Sequence, residues 1–240
     1  MNIFLIFLCL CLSIVSCNYD YQIPAFIDIV GERNSGTNFV ASLIAKNFGK
    51  NKLLPVSEIR GLKGLYGTEL GWKHGFINFQ KLRNNKNLYK NTLILVIFRN
   101  PYSWLLSMKK LPHHLKGGFR KKYTFDQFLN LKWICEAGRG VIISSELKDP
   151  KRQIPYNNVI EFRTAKYKDW LHISEEANHV VYISYEQLLE TDGLVLYYKL
   201  IAKGIQPLSK TYRPEHGKCP PFAWRDGCRK SRDDGAKLKA

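Results

Sequence analysis

The chain has 240 residues, 45% of them apolar, and a formal net charge of +17. That length fits one globular domain with a sizeable core. The charge implies an acidic partner (a nucleotide, a nucleic acid, an acidic polysaccharide or a membrane surface), with general solubility as the plain alternative.

Ile3 to Val15 is a nearly unbroken apolar run, followed by small residues at Ser16-Cys17. It is short for a bilayer span, which takes about 20 apolar residues, and suits the apolar core of a signal peptide. The run has no Lys or Arg before it, so a short uncleaved signal-anchor remains an alternative. Ile14-Val15-Ser16-Cys17 also matches a bacterial lipoprotein cleavage site. No Lys, Arg, Asp or Glu lies in residues 1–17, so the whole net charge belongs to residues 18–240.

Ala25 to Val30 reads as a strand and Phe39 to about Phe48 as a helix. Between them lies Gly31-Glu32-Arg33-Asn34-Ser35-Gly36-Thr37-Asn38. A glycine-bounded loop between strand and helix aims backbone N–H groups and a positive helix end at one point, which makes an anion site. The glycine spacing is that of a nucleotide P-loop, but Thr37 stands where that loop needs Lys and Asn38 where it needs Ser or Thr. The loop is therefore expected to bind a phosphate-like group without metal-assisted NTP chemistry.

Gly61 to Gly75 is glycine-rich and contains a short strand ending at Gly71-Trp72-Lys73-His74-Gly75. Residues 77–87 read as a polar helix. Thr92 to Phe98 is a continuous branched apolar run, the pattern of a central parallel strand buried on both faces. Pro101 opens a helix to Lys110 and Pro112 ends it. Thr124 to Ile134 is a helix with Thr124 as cap and Gln127 completing a capping box. Residues 137–157 read as an irregular insertion, 159–176 as a helix, His179 to Ser184 as a second buried strand and Leu194 to Ala202 as the last helix.

Strands alternating with helices predict a doubly wound parallel sheet with helices on both faces. The expected division is a leader over 1–17, an α/β domain over 18–205 and a basic extension over 206–240. In such sheets ligands sit at the carboxyl ends of the strands, where the glycine loop, Lys73, His74 and Arg99 all fall.

Two further features bear on partner and compartment. Lys109, Lys110, Lys116, Arg120, Lys121 and Lys122 crowd one segment with no acid among them. They are candidates for an acidic acceptor, with a solvated loop, including His113-His114, as the plain alternative. Cys219 and Cys228 bracket a Pro- and Gly-containing stretch that could close as a disulfide in an oxidising compartment, leaving Cys135 free. There is no CxxC pair and no zinc-ligand spacing.

Arg99 closes the buried strand, and Ser107 stands eight positions on. A guanidinium and a hydroxyl so placed can hold one phosphate from two sides. With the glycine loop, this resembles the sulfotransferases that use 3′-phosphoadenosine 5′-phosphosulfate (PAPS). Ser35-Gly36-Thr37-Asn38-Phe39 is similar to that family's Ser-Gly-Thr-Thr-aromatic run, and Tyr185-Glu186-Gln187-Leu188-Leu189 to its Tyr-Glu-Asp-Leu-Leu segment. Lys73-His74 resembles its Lys-x-His signature, one residue shorter. The resemblance spans residues 25 to about 190.

It implies a P-loop-like sulfotransferase architecture and PAPS as donor, with its desulfated form PAP as product and no metal. By the match, Arg33, Asn34, Ser35, Gly36, Thr37 and Asn38 hold the 5′-phosphosulfate. Arg99 and Ser107 hold the 3′-phosphate, and Phe39 and Tyr185 lie near adenine. One departure stands out: Asn34 occupies the position of the family's usual Lys, which leaves Arg33 and Lys73 to supply positive charge. His74 is the candidate base.

The acceptor would be a hydroxyl or amine on a glycan or an acidic protein, with nucleic acid disfavoured. A leader together with a PAPS site points to the Golgi lumen in a eukaryote, and to a secreted or lipid-anchored protein in a bacterium. A P-loop kinase or NTPase, and a non-catalytic secreted module that binds polyanions, are the alternative readings.

Overall fold

The computed structural model describes residues 22–55, 57–58, 66–68, 70–112, 123–133, 136–137, 141–142 and 156–214. The leader, His113, His114, Lys116, Arg120, Lys121, Lys122, Cys135, Cys219 and Cys228 lie outside the described residues. No described helix is long and apolar enough to cross a membrane.

Three parallel strands form the centre: β1 (Phe26–Gly31), β5 (Thr92–Phe98) and β8 (His179–Ser184), in the order β1-β5-β8. Phe26 pairs with Thr92 and Gly31 with Ile97, while Leu93 pairs with His179 and Phe98 with Ser184. The strands therefore end level, at Gly31, Phe98 and Ser184. Side chains alternate along β5, so Leu93, Leu95 and Ile97 face one layer and Ile94 and Val96 the other.

The first layer contains α1 (Thr37–Phe48), α8 (Tyr185–Glu190) and α9 (Leu194–Ala202), packed through Leu43, Ile44, Leu188, Leu196 and Leu200. The second contains α2 (Phe79–Asn84), α3 (Lys86–Lys90), α6 (Val159–Leu171) and α7 (Ile173–Glu176), packed through Leu82, Tyr89, Trp170 and Ile173. The protein is thus a mixed α/β fold with helices on both faces of a parallel sheet. A third apolar cluster lies where α4 (Pro101–Lys110) and α5 (Phe125–Asn130) meet α6, around Trp72, Trp104, Phe128 and Phe162.

The elements depart from the sequence reading at several places, among them residues 159–176, where two helices meet at His172 in place of one. The segment before Lys73 is not part of the parallel sheet. Instead β4 (Gly71–Trp72) pairs antiparallel with β3 (Tyr66–Thr68), which pairs with β2 (Ser57–Glu58). The helix expected over 77–87 breaks at Asn85, whose side-chain amide donates to the Lys81 carbonyl and competes with the helical bonds. The helix expected over 124–134 stops at Asn130 because Leu131 turns extended, and Trp133 then bridges to Tyr156. Its capping box is formed, with the Thr124 side chain accepting from the Gln127 N–H.

A two-stranded hairpin, β6 (Glu136–Ala137) with β7 (Val141–Ile142), lies in the insertion. Beyond α9, the Asn47 side chain ties the chain back to α1. It accepts from the Arg213 N–H at 2.8 Å and donates to the Arg213 carbonyl at 2.9 Å.

Candidate functional site

The site is built on the loop from Gly31 to Thr37. The Ser35 N–H and hydroxyl both donate to the Glu32 carbonyl, at 3.1 and 2.6 Å, which closes the turn. Asn34 and Gly36 take positive φ, 62° and 82°. The Gly36 carbonyl accepts the first helical bond, from Val40, and no side chain caps α1. The Thr37, Asn38 and Phe39 amides thus have no helical acceptor, and the positive helix end is open to an anion.

Gly36 is required on two counts. A Cβ there would lie 2.5 Å from the Tyr185 ring, and the left-handed backbone disfavours any other residue. Gly36→Ala is expected to cost about 1–3 kcal/mol, read as a lower urea midpoint with unchanged slope. Wild-type stability in that variant would show that the ring moves aside freely.

Three cations converge on the loop. The Arg33 guanidinium lies over the Trp72 ring, 5.1 Å from its centroid, and its Nε is buried without a hydrogen-bond partner. Lys73 reaches from the turn after β4, its Nζ donating to Asn38 Oδ1 at 2.9 Å. Arg99, at the end of β5, donates to the Asn34 carbonyl and lies 4.8 Å over the Tyr185 ring. Neither Arg33 nor Lys73 forms an ion pair among the described residues.

Their environment lowers their proton affinity. Burial brings Arg33 down to about 10, and burial together with the nearby Arg33 lowers Lys73. Burial also lowers Arg99, against the raising effect of Tyr185 and Glu186. A bound anion would offset this cost of holding buried positive charge.

Comparison with protein-family models, curated proteins and solved structures finds no match. The site's chemistry therefore rests on its own geometry.

His74 is buried at 3% exposure against the same loop. Its Nδ1 donates to the Gly31 carbonyl at 2.6 Å, and the Gly31 N–H donates to the Lys73 carbonyl at 2.9 Å. These two bonds fix the Lys73-His74 turn on the end of β1. With Nδ1 carrying the proton, Nε2 is the lone-pair nitrogen. Burial, with Arg33 and Lys73 nearby, holds the imidazole pKa well below its usual range.

Trp104 Nε1 donates to the Arg33 carbonyl at 2.9 Å, and Asn34 Nδ2 contacts Met108 Sδ at 3.4 Å. The α4 stripe that carries Trp104 and Met108 thus packs on the loop. Ser107 lies beside that stripe, buried, with a hydroxyl that has no partner. Thr37 and Tyr185 are also buried, and Phe39 is half-buried against the core layer that contains Tyr185.

The structure adds a group that the sequence reading missed. Glu32 has no exposed surface. Its Oε2 accepts from Arg163 Nε at 2.8 Å and from the Tyr167 hydroxyl at 2.7 Å, and its Oε1 lies 3.6 Å from Lys166 Nζ. Arg163, Lys166 and Tyr167 lie at i, i+3 and i+4, one face of α6. That spacing was the only signal in the sequence, and it names no partner. Among the described residues no three His, Cys, Asp or Glu side chains gather as metal ligands.

Proposed function

We propose that the protein is a PAPS-dependent sulfotransferase with a P-loop-like architecture. The observation that carries this reading is the pair Arg33 and Lys73 at the mouth of a glycine-bounded strand-to-helix loop, both without a carboxylate partner among the described residues. Thr37, at the position of a P-loop lysine, is buried, and Lys73 from a neighbouring turn brings the cation to the first turn of α1 instead. Asn38 stands where a P-loop needs the hydroxyl that holds magnesium, and its Oδ1 is taken by Lys73, which supports a phosphosulfate donor over a metal-bound triphosphate.

In this reading the amides of Gly36, Thr37 and Asn38 hold the 5′-phosphosulfate, while Ser35, expected to contact it, instead closes the turn onto the Glu32 carbonyl. Arg99 and Ser107 hold the 3′-phosphate, and Phe39 and Tyr185 border the adenine. The acceptor oxygen or nitrogen attacks sulfur as the bond from sulfur to the bridging oxygen breaks. PAP leaves with that electron pair, and the acceptor proton passes to His74 Nε2. Arg33 and Lys73 offset the charge that develops on the leaving phosphate. Positioning supplies the remainder of the rate, since no covalent intermediate is needed. An acidic glycan or protein in the secretory pathway is the acceptor class that the leader and the basic segment favour.

PAP is expected to stabilise the fold by about 2.7 kcal/mol at a hundredfold excess over its Kd. For a chain of this size each kcal/mol raises Tm by roughly 2–4 °C. Arg99→Ala should remove most of the shift. A wild-type Tm indifferent to PAP would overturn the donor assignment, and a shift with ATP-magnesium alone would favour a kinase.

A further inference from the structure

We infer that Glu32, Arg163 and Tyr167 form a positioning unit that sets Arg99 at a fixed distance from the anion loop and so confers preference for a 3′-phosphorylated nucleotide. The inference rests on the proposed donor and assigns work to three residues outside the motifs that suggest it.

The geometry is a closed ring. Tyr167 and Arg163 hold the Arg99 backbone on both of its peptide groups: the Arg99 N–H donates to the Tyr167 hydroxyl at 3.3 Å, and Arg163 donates to the Arg99 carbonyl. Arg163 also donates to the Tyr167 hydroxyl at 2.5 Å, and that hydroxyl donates on to Glu32. Glu32 belongs to the loop itself. The ring closes where the Arg99 guanidinium donates to the Asn34 carbonyl, two residues further along the same loop.

Both ends of Arg99 are therefore referenced to the anion loop, its backbone through α6 and its side chain directly. The guanidinium is further aligned by Ser103, which accepts from Arg99 Nε at 3.3 Å. A phosphate bound by Arg99 and a phosphate bound by the loop amides then have one allowed separation. Buried side-chain networks of this kind hold geometry because each member has few alternative partners.

The test is calorimetric titration of the full chain with PAP and with adenosine 5′-monophosphate, which lacks the 3′-phosphate. Wild type should prefer PAP. Tyr167→Phe keeps the ring volume and removes the hydroxyl that links Arg99 to Glu32. It should weaken PAP about fivefold to tenfold and leave the monophosphate unchanged, the loss of roughly one hydrogen bond's worth of alignment. Arg163→Lys keeps a charge against Glu32 but cannot reach both acceptors, and should behave alike; it serves as the test if Tyr167→Phe does not fold.

In an Arg99→Ala background Tyr167→Phe should have no further effect on PAP, because the residue it positions is gone. A wild type that does not prefer PAP would overturn the donor reading and this inference with it. A wild type that prefers PAP beside variants that keep the same preference would overturn the positioning unit alone. Equal losses for both ligands would likewise reduce the ring to a structural support.

Discussion

Glu32→Ala is expected to destabilise the protein by about 3–5 kcal/mol, because it removes one partner of a buried ion cluster and leaves two cations behind. Arg163 and Lys166 are 8% and 3% exposed, so bulk water cannot solvate the two charges in the carboxylate's place. The Arg163 guanidinium would keep its contacts with the Trp104 and Tyr167 rings, at 4.7 and 4.4 Å from their centroids, but would lose its only ion pair among the described residues. Glu32→Gln should be destabilising as well, since it retains the volume and loses the charge. Urea unfolding monitored by fluorescence measures both. A loss below about 1 kcal/mol in Glu32→Ala is the range of an exposed ion pair and would contradict the burial of the cluster.

His74→Ala is expected to lower kcat by roughly 10²–10⁴-fold while PAP affinity stays nearly intact. The contrast separates a proton acceptor from a donor-binding group, and Lys73→Ala supplies the control, since it should weaken both turnover and PAP binding. The buried imidazole also sets a pH dependence. Its folded pKa lies below the ordinary value of about 6.5, so the unfolded chain binds the proton more readily.

The stability this group contributes is therefore complete above about pH 6.5. It is lost as pH falls from there toward the folded pKa, by at most about 1.4 kcal/mol per pH unit. For the same reason the rate should show no acid limb near pH 6.5, because the ring stays neutral there. A kcat limb at that pH that vanishes in His74→Ala would show an exposed imidazole. Near-normal kcat in His74→Ala would move the base to another group.

The sequence by itself determined the central parallel strands, the glycine loop and the helix after it. These are local patterns: a continuous apolar run over Thr92 to Phe98, two glycines bounding a turn, Pro101 at a helix start and Thr124 with Gln127 as a cap. Each works through neighbours a few residues away, so chain order carries the information. It also placed Arg99 at the end of a central strand, and the structure brings it to the loop.

Only the tertiary structure decided what holds that loop. Glu32 carries no partner signal in the sequence, yet it is sealed against Arg163, 131 positions away. Trp72 and Trp104 join an apolar cluster and also bind the side chain and the carbonyl of Arg33. Lys73 reaches Asn38 because a small antiparallel sheet, and not the central one, delivers its turn. No periodicity encodes such contacts, since a buried charge is stable only where a partner from a distant segment meets it. That meeting is a property of the packed chain: residue type fixed what each side chain could do, and the fold chose which of them would do it together.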